Sequence, residues 1–457
     1  MDSTPRTELK RALGAWAAAS IVVGTVIGSG IFLVPRTMIQ RVGSVDAVFA
    51  VWVVGGLLSM AGALSYAELA AALPEAGGEY AFLREAYGPL WGFLYSWTQM
   101  WVAKSGSIAT LATGFFLYLT TFFEPLKGVV YTIPLPIGPN GGPLEIQYGQ
   151  LFAIVLILAL AWLNYFGVKL GGNVQVAVTL LKVVLIAAII LAGLFWGEAH
   201  APAAASVGPL TFSGFIAALV AALWAYDGWN NVSMVSSEIK DPQKNLPRAL
   251  IGGTLCVVVI YMLANAAYFK VLAPAEVAGS TRVAAEMMRK IFQAPGAGAV
   301  SIAAMISIFA ALNGSILSGA RVPYAAARDG YFFKRMAWVH PDYHTPGVSI
   351  VALNVWACVL VLSGKYDDLF NLVIFASWIL YGMTAAAVLV LRSKRPELVR
   401  PYRTLGYPAV PLLFVTGAII LLISTAIERP RESVMGLGLM GLGIPFYYFW
   451  KRRKTEG

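Results

Sequence analysis

Two stretches of this sequence place glycine and polar residues where apolar helices should run unbroken. The first, Ile21 to Phe32, reads IVVGTVIGSGIF, with Gly24, Gly28 and Gly30 at its centre. The second, Ile216 to Ser233, reads IAALVAALWAYDGWNNVS and puts Asp227, Gly228, Asn230 and Asn231 inside an apolar run. Backbone in hydrocarbon must satisfy its own hydrogen bonds, so an interrupted span survives only where protein or a water-filled cavity receives the freed groups. Where a helix stops and restarts, the restarting half offers N–H groups and partial positive charge. The stopping half offers carbonyls and partial negative charge. Two such poles suit a zwitterion. A carboxylate would sit on the amides of Gly28, Ser29 and Gly30, where missing or small side chains allow close approach. An ammonium would face the carbonyls of Ile27 and of Trp224, Ala225 and Tyr226. Backbone would then recognise the amino acid class, and side chains would choose the member.

The elements that must hold these breaks follow from composition. Of the 457 residues, 58% are hydrophobic and 12% charged, and mean hydropathy is +0.72. Soluble domains carry about a quarter charged residues, so this chain is integral to a membrane. A spanning helix needs about 20 apolar residues. Runs of that kind predict twelve spans, at 13–35, 46–72, 89–122, 148–166, 173–196, 212–236, 248–271, 297–327, 347–363, 368–391, 407–426 and 433–450. Segments of alternating polarity, the mark of a membrane barrel, do not occur, and the expected fold is all-α. The first run follows a polar start and continues past signal-peptide length without an A-x-A site, so it is expected to stay in the mature protein. The breaks fall in spans one and six. Paired interruptions at corresponding places in two halves point to the site of a secondary transporter. Spans one to five (13–196) and six to ten (212–391) would form two repeats, the second inverted because five is odd. Two additional helices (407–450) would pack outside them, in one transmembrane domain over 1–457.

Basic residues set the orientation. With the ends 1–12 and 451–457 both in the cytoplasm, inside segments hold 21 of the 33 Lys and Arg and outside segments ten, as the positive-inside rule requires. The net charge of +10 is therefore mainly topological. Lys451 to Lys454 read as a cytoplasmic anchor on the membrane surface, and nucleic acid is not an expected partner. Cys256 and Cys358 stand in apolar runs as small buried hydrophobes. The outside loop from Phe122 to Ile146 has no cysteine to carry a covalent partner chain. His200, His340 and His344 stand in loops without ligand-spaced partners, so no metal site or triad is expected. TVIGSG lacks the preceding strand and following lysine of a nucleotide loop, and no cofactor is expected.

Three segments carry a resemblance: VIGSGIF in span one, SYAELAAALPEAGGEYAFLREAYGP from Ser65 to Pro89, and ALWAYDGWNNVSMVSSEIKDPQKNLPRAL from Ala222 to Leu250. Together they resemble the amino acid/polyamine/organocation (APC) transporter superfamily, and within it the L-type amino acid transporter family and its bacterial relatives. The resemblance covers nearly the whole chain. It implies twelve helices in a five-plus-five inverted repeat, sodium-independent carriage of amino acids, and in many members obligate exchange. Animal members pair with a glycoprotein through an external cysteine; lacking it, this chain resembles a prokaryotic-type, single-subunit carrier.

Individual side chains take their meaning from this frame. An ion inside a membrane span is a functional candidate by default, and Lys182 lies in the apolar run VTLLKVVLIAAII. The resemblance matches it to a family lysine that reaches the broken part of helix one, where sodium sits in related sodium-coupled carriers. It would tie that break to helix eight or exchange a proton; the alternative is snorkelling to the cytoplasm. Asp227 would cap the second half of helix six or pair with the basic end of Lys, Arg or ornithine. Trp224 aligns with a family aromatic that closes over substrate as a gate, unless it is ordinary packing. Lys104 and Glu68 are expected to pair or to reach an interface, and no transport role is assigned to them. Asn313, Gly314 and Ser315 would face the cavity or make a small-residue helix contact.

The resulting expectation is a sodium-independent exchanger of L-amino acids, neutral and cationic, moving by alternating access in the cell membrane. Its partners are its substrates and the lipid bilayer, with no disulfide-linked heavy chain; the sequence leaves the oligomeric state open, and a monomer is compatible with it. The alternatives are a proton-coupled symporter or a polyamine or cationic metabolite antiporter, the latter wasting the amides of Gly28 to Gly30. Outside transport, a receptor would bind without flux, and an enzyme would need converging catalytic groups that the sequence lacks.

Overall fold

The computed structural model describes residues 8–134, 142–199, 207–363 and 366–455. The first apolar stretch forms α1 (Ala15–Val26) and α2 (Gly30–Val42), bent by 41° at the intervening residues. Gly43, at φ +75°, ends α2, and Ser44 accepts the Ala47 N–H to start α3 (Val45–Ala72). A short amphipathic helix, α4 (Glu79–Tyr87), leads into a span made of α5 (Pro89–Thr98), a π turn (Gln99–Ala103) and α6 (Lys104–Leu119). α7 (Tyr148–Tyr165) and α8 (Val168–Phe195) follow. The second broken element is α9 (Phe212–Ala225) and the single turn α10 (Asn231–Met234). Beyond it run α11 (Pro242–Val271), α12 (Pro274–Gly279), α13 (Val283–Gly319), α14 (Arg321–Arg328), α15 (Gly347–Leu362), α16 (Tyr366–Lys394), α17 (Ala409–Glu428), α18 (Pro430–Gly441) and α19 (Gly443–Thr455). Among the described residues nine helices are long and apolar enough to cross a membrane, and the bent α1–α2 pair makes a tenth. α9 and α15 are shorter apolar helices.

The structure departs from the sequence expectation in several places. A two-stranded antiparallel hairpin, β1 (Val129–Ile133) with β2 (Leu144–Gln147), interrupts the all-α pattern outside the spans. α13 begins at Val283 rather than near 297, bending where Gln293 adopts φ +57° two residues before Pro295. The last apolar run is divided between α18 and α19. Cys256 is exposed rather than buried, because it stands on the outward face of α11. Lys454 lies 4.4 Å from the centre of the Tyr331 ring, so the basic tail docks partly on the protein. His340 accepts the Asp342 N–H in a turn, and His200 lies outside the described residues.

Small residues let the helices approach. A Cβ on Gly253 of α11 would stand 2.7 Å from Val22 of α1, and one on Gly62 of α3 would meet Trp229 at the same distance. Buried polar side chains then join helices that lipid alone would not hold together. Asn313 of α13 donates to Gln175 of α8 and accepts from Asn164 of α7, while Gln175 donates to the Ser20 carbonyl of α1. Glu68 receives Arg392 on both oxygens and the Thr404 N–H, which ties α3 to the segment before α17. On the face that carries the N-terminal segment, Arg321 and Glu238 form a fully buried bidentate pair at 2.9–3.2 Å. The Glu238 carbonyl accepts the N–H groups of Ala12 and Leu13. Arg84 adds contacts to Asp329, Glu75 and Glu85 on the same face.

Candidate functional site

The first break begins where α1 runs out of partners. Ile27 is extended (ψ 90°), and the Gly28 N–H turns back to the Val26 carbonyl at 2.8 Å. The carbonyls of Gly24 and Ile27 receive the Lys182 ammonium at 2.7 and 2.5 Å. Ser307 of α13 also donates to Ile27, at 2.9 Å. Lys182 is fully buried, so its ammonium solvates the stopping half of the helix and does not snorkel. The doubly used Ile27 carbonyl is the joint between α1, α8 and α13.

The second break packs directly on the first. Gly228 has φ +106°, and a Cβ there would stand 3.2 Å from the Thr25 backbone. Conformation and close approach both require glycine at this position. The Thr25 hydroxyl lies 2.8 Å from the Gly228 carbonyl. The Tyr261 hydroxyl reaches the Val26 carbonyl at 3.1 Å and the Ala225 carbonyl at 2.8 Å, so one group serves the ends of both α1 and α9. The helix restarts at Asn231, with Asn230 as N-cap and no side chain capping it. Asp227 stands earlier in the linker, where its carboxylate accepts the Tyr381 hydroxyl at 3.0 Å. It is therefore not the helix cap. Asn230 and Ser233 are held by the buried Glu79 carboxylate, which reaches in from α4.

Between the breaks lies a cavity of about 70 Å³. Gly28, Ser29 and Gly30 line it from the first break, and Trp224, Ala225 and Asp227 from the second. Ile27 and Tyr226 do not. The Ile27 carbonyl is taken by Lys182 and Ser307. Tyr226 turns edge-on to Trp52 at 5.5 Å and donates its hydroxyl to the Trp52 carbonyl. The two residues shape the break rather than the cavity wall. The expected acceptors for an ammonium are thus largely occupied, since Ala225 serves Tyr261 and Trp224 accepts the Asp227 N–H at 3.0 Å. Asp227 remains as the anionic group facing the space. Likewise the Gly28 amide is turned away, and the positive pole is the start of α2 at Ser29 and Gly30. Trp224 lies over this start, 3.5 Å from where a Gly30 Cβ would stand. Thr110 lines the cavity and also a larger space of about 520 Å³ that reaches β2 at Glu145 and Gln147. Among the described residues no group of three or more His, Cys, Asp or Glu is arranged to hold a metal.

The sequence model of a family described as amino acid permease matches residues 13–440. The chain belongs to the amino acid permease family. The permease is 33% identical over 455 residues to the serine/threonine exchanger SteT of Bacillus subtilis, covering 98% of each chain. It is 31% identical over 450 residues to the b(0,+)-type amino acid transporter 1 of Mus musculus, covering 97% of this chain and 88% of that one. With the large neutral amino acids transporter small subunit 2 of Oryctolagus cuniculus it shares 32% over 458 residues, covering 97% and 82%. These relatives place it within the APC superfamily as a membrane transporter and not an enzyme.

Several parts of the permease's cavity escape sequence reading. Lys104, expected to pair or to reach an interface and given no transport role, donates to Asn231 at 2.6 Å and lines the cavity. The π turn before it sets its direction: the Lys104 N–H bonds Gln99, five residues back, which rotates α6 relative to α5. An intramembrane lysine is the signal that could have found it. Ser107 and Thr110 of α6, and Ser377 and Trp378 of α16, stand within apolar runs that do not single them out. Of the Asn313 triplet, Ser315 lines the cavity. Gly314 abuts Thr25, and Asn313 belongs to the buried network.

Proposed function

We propose that the permease is a sodium-independent secondary exchanger of L-amino acids, with neutral substrates first and cationic ones second, working by alternating access in the cell membrane. The observation that carries this is the Lys182 ammonium on the Gly24 and Ile27 carbonyls. Carbonyls at a helix stop are the groups that coordinate a sodium ion in broken-helix carriers, and here a covalently attached cation occupies them. The start of α2 supplies a positive pole for an α-carboxylate, and Asp227 supplies an acceptor for the ammonium. A polyamine, lacking a carboxylate, would leave the α2 pole unmatched. The functions that the relatives' names give, serine/threonine exchange and transport of large neutral amino acids, favour amino acid exchange.

The architecture supports the same reading. Counting α9 with α10 and adding α15 to the ten longer spans gives twelve, with repeats over 13–196 and 212–391, two further helices, and both termini in the cytoplasm. In that orientation Glu238, Arg321 and the Arg84 contacts close the cytoplasmic side, and the space beyond Thr110 leads outward. Rocking of α1, α9 and α10 against α8 and α13 would open the other side. Trp224 is the gate over the α2 start. This reading includes no disulfide-linked partner.

Proteoliposomes loaded with one unlabelled amino acid test this by uptake of a labelled one, with and without sodium and a pH gradient. Counterflow that ignores sodium and needs internal amino acid is expected, and Lys182→Met should abolish it. Uptake that requires sodium, or binding without counterflow, defeats the proposal. Uptake driven by the pH gradient alone would make the carrier a proton symporter.

A further inference from the structure

We propose, resting on the amino acid exchange reading above, that Lys104 is the built-in counter-ion of Asp227 and ranks uncharged side chains above charged ones. Among the described residues that line the cavity, these two carry charge. They come from separate elements, Lys104 from the start of α6 and Asp227 from the linker between α9 and α10. Lys104 is only 7% exposed, and its ammonium is held by the Asn231 side chain at 2.6 Å. Asn231 opens α10, four residues beyond Asp227. The Asp227 carboxylate is fixed by the Tyr381 hydroxyl of α16 at 3.0 Å and is half-buried. Lys182 sits on the carbonyls of α1, and Glu79, which holds Asn230 and Ser233 behind the second break, does not line the cavity.

A charge in such a place is costly unless an opposite one balances it. A zwitterion with an uncharged side chain enters the balanced cavity and adds no net charge. A dibasic amino acid brings a second cation beside Lys104 for a single carboxylate. An acidic one brings a second anion beside Asp227. In either case one desolvated charge is left over, and like charges face each other, which is the repulsive element that selectivity requires. Asp227 therefore does not act as an open acceptor for arginine or lysine. Its single negative charge is balanced by Lys104 and met by the α-ammonium that every substrate brings, so the rank of dibasic substrates is set by Lys104.

The test is a selectivity ratio. Wild type, K104Q, K104R, D227N and K104Q/D227N are reconstituted with internal alanine. Uptake of labelled alanine is then competed by leucine, arginine and glutamate. In K104Q the arginine-to-leucine inhibition ratio should rise at least tenfold, and in D227N the glutamate-to-leucine ratio should rise comparably. K104R should keep the wild-type ranking, and the double variant should return to it. Each ratio is taken within one preparation, so differences in yield cancel. A K104Q ratio within twofold of wild type overturns the proposal, as does a K104R shift equal to that of K104Q. Where K104Q does not exchange, thermal shift of the purified protein by arginine against leucine reads the same ratio. A double variant that keeps the ratio of either single variant also overturns it. If wild type shows no alanine counterflow, the exchange reading fails, and the thermal-shift ratio still decides the role of Lys104.

Discussion

Replacing Gly30 by alanine should damage this protein where replacing Gly28 should not, although the two glycines stand two residues apart in the same motif. A Cβ on Gly30 would lie 2.8 Å from the Ala225 Cβ and 2.9 Å from the Ala225 Cα. Carbon atoms in contact prefer about 3.5–4.0 Å, so the start of α2 and the end of α9 would have to part by the better part of an ångström. Ala225 is backbone and methyl, with no flexible end to give way. Overpacking of this kind costs about 1–3 kcal/mol, which is about a 5–150-fold loss of the arrangement that brings the breaks together. A Cβ on Gly28 would meet Leu111 at 3.7 Å and Ala311 at 3.9 Å, ordinary contacts. Thermal unfolding in detergent and counterflow in proteoliposomes should both fall for Gly30→Ala. Gly28→Ala should unfold like wild type. A Gly30→Ala protein matching wild type in both assays, or a Gly28→Ala protein unfolding below it, refutes the assignment of Gly30 to helix approach.

Two further outcomes rest on buried groups. Glu238→Gln leaves the Arg321 guanidinium fully buried without its carboxylate; losing one partner of such a pair costs about 3–5 kcal/mol. The unfolding midpoint should drop sharply, while Glu238→Leu with Arg321→Met should recover at least half the loss; an unaltered midpoint in the single variant refutes this. Tyr261→Phe removes the hydroxyl from the Val26 and Ala225 carbonyls. About 1–3 kcal/mol for a buried acceptor left unpaired should appear as lower thermal stability and slower counterflow, and wild-type values in both would show that the hydroxyl joins nothing.

Both breaks are legible in the sequence because glycine and side-chain amides weaken an apolar helix, and hydrocarbon tolerates that weakness only where the freed backbone finds partners. Lys182 is legible because a buried ion needs a partner. What a sequence does not carry is the identity of the partners. Ser307 lies 280 residues from the carbonyl it meets and Tyr381 lies 154 from Asp227, and no local pattern links such pairs. The three glycines of IVVGTVIGSGIF look equivalent as letters, yet Gly24 meets Gln175 and Thr179, Gly28 has room for a methyl group, and Gly30 meets Ala225. Asp227 reads as a cap only if the helix restarts at the beginning of the polar run, whereas it restarts at Asn231. Serines and a tryptophan in regular helices, such as Ser377 and Trp378, become wall residues only through the tilt of their neighbours.

The π turn at Gln99–Ala103 makes the direction of Lys104 depend on the length of the chain as well as on residue type. Such a turn is one residue more than an α-helix requires, and each helical residue turns the chain by about 100°. A one-residue deletion there would regularise the helix and swing Lys104 out of the cavity while leaving its apolar length almost unchanged. A single codon deletion would thus remove a cation from the cavity wall without changing any residue type. Residue-by-residue alignment would record that event as a gap and miss the change in charge.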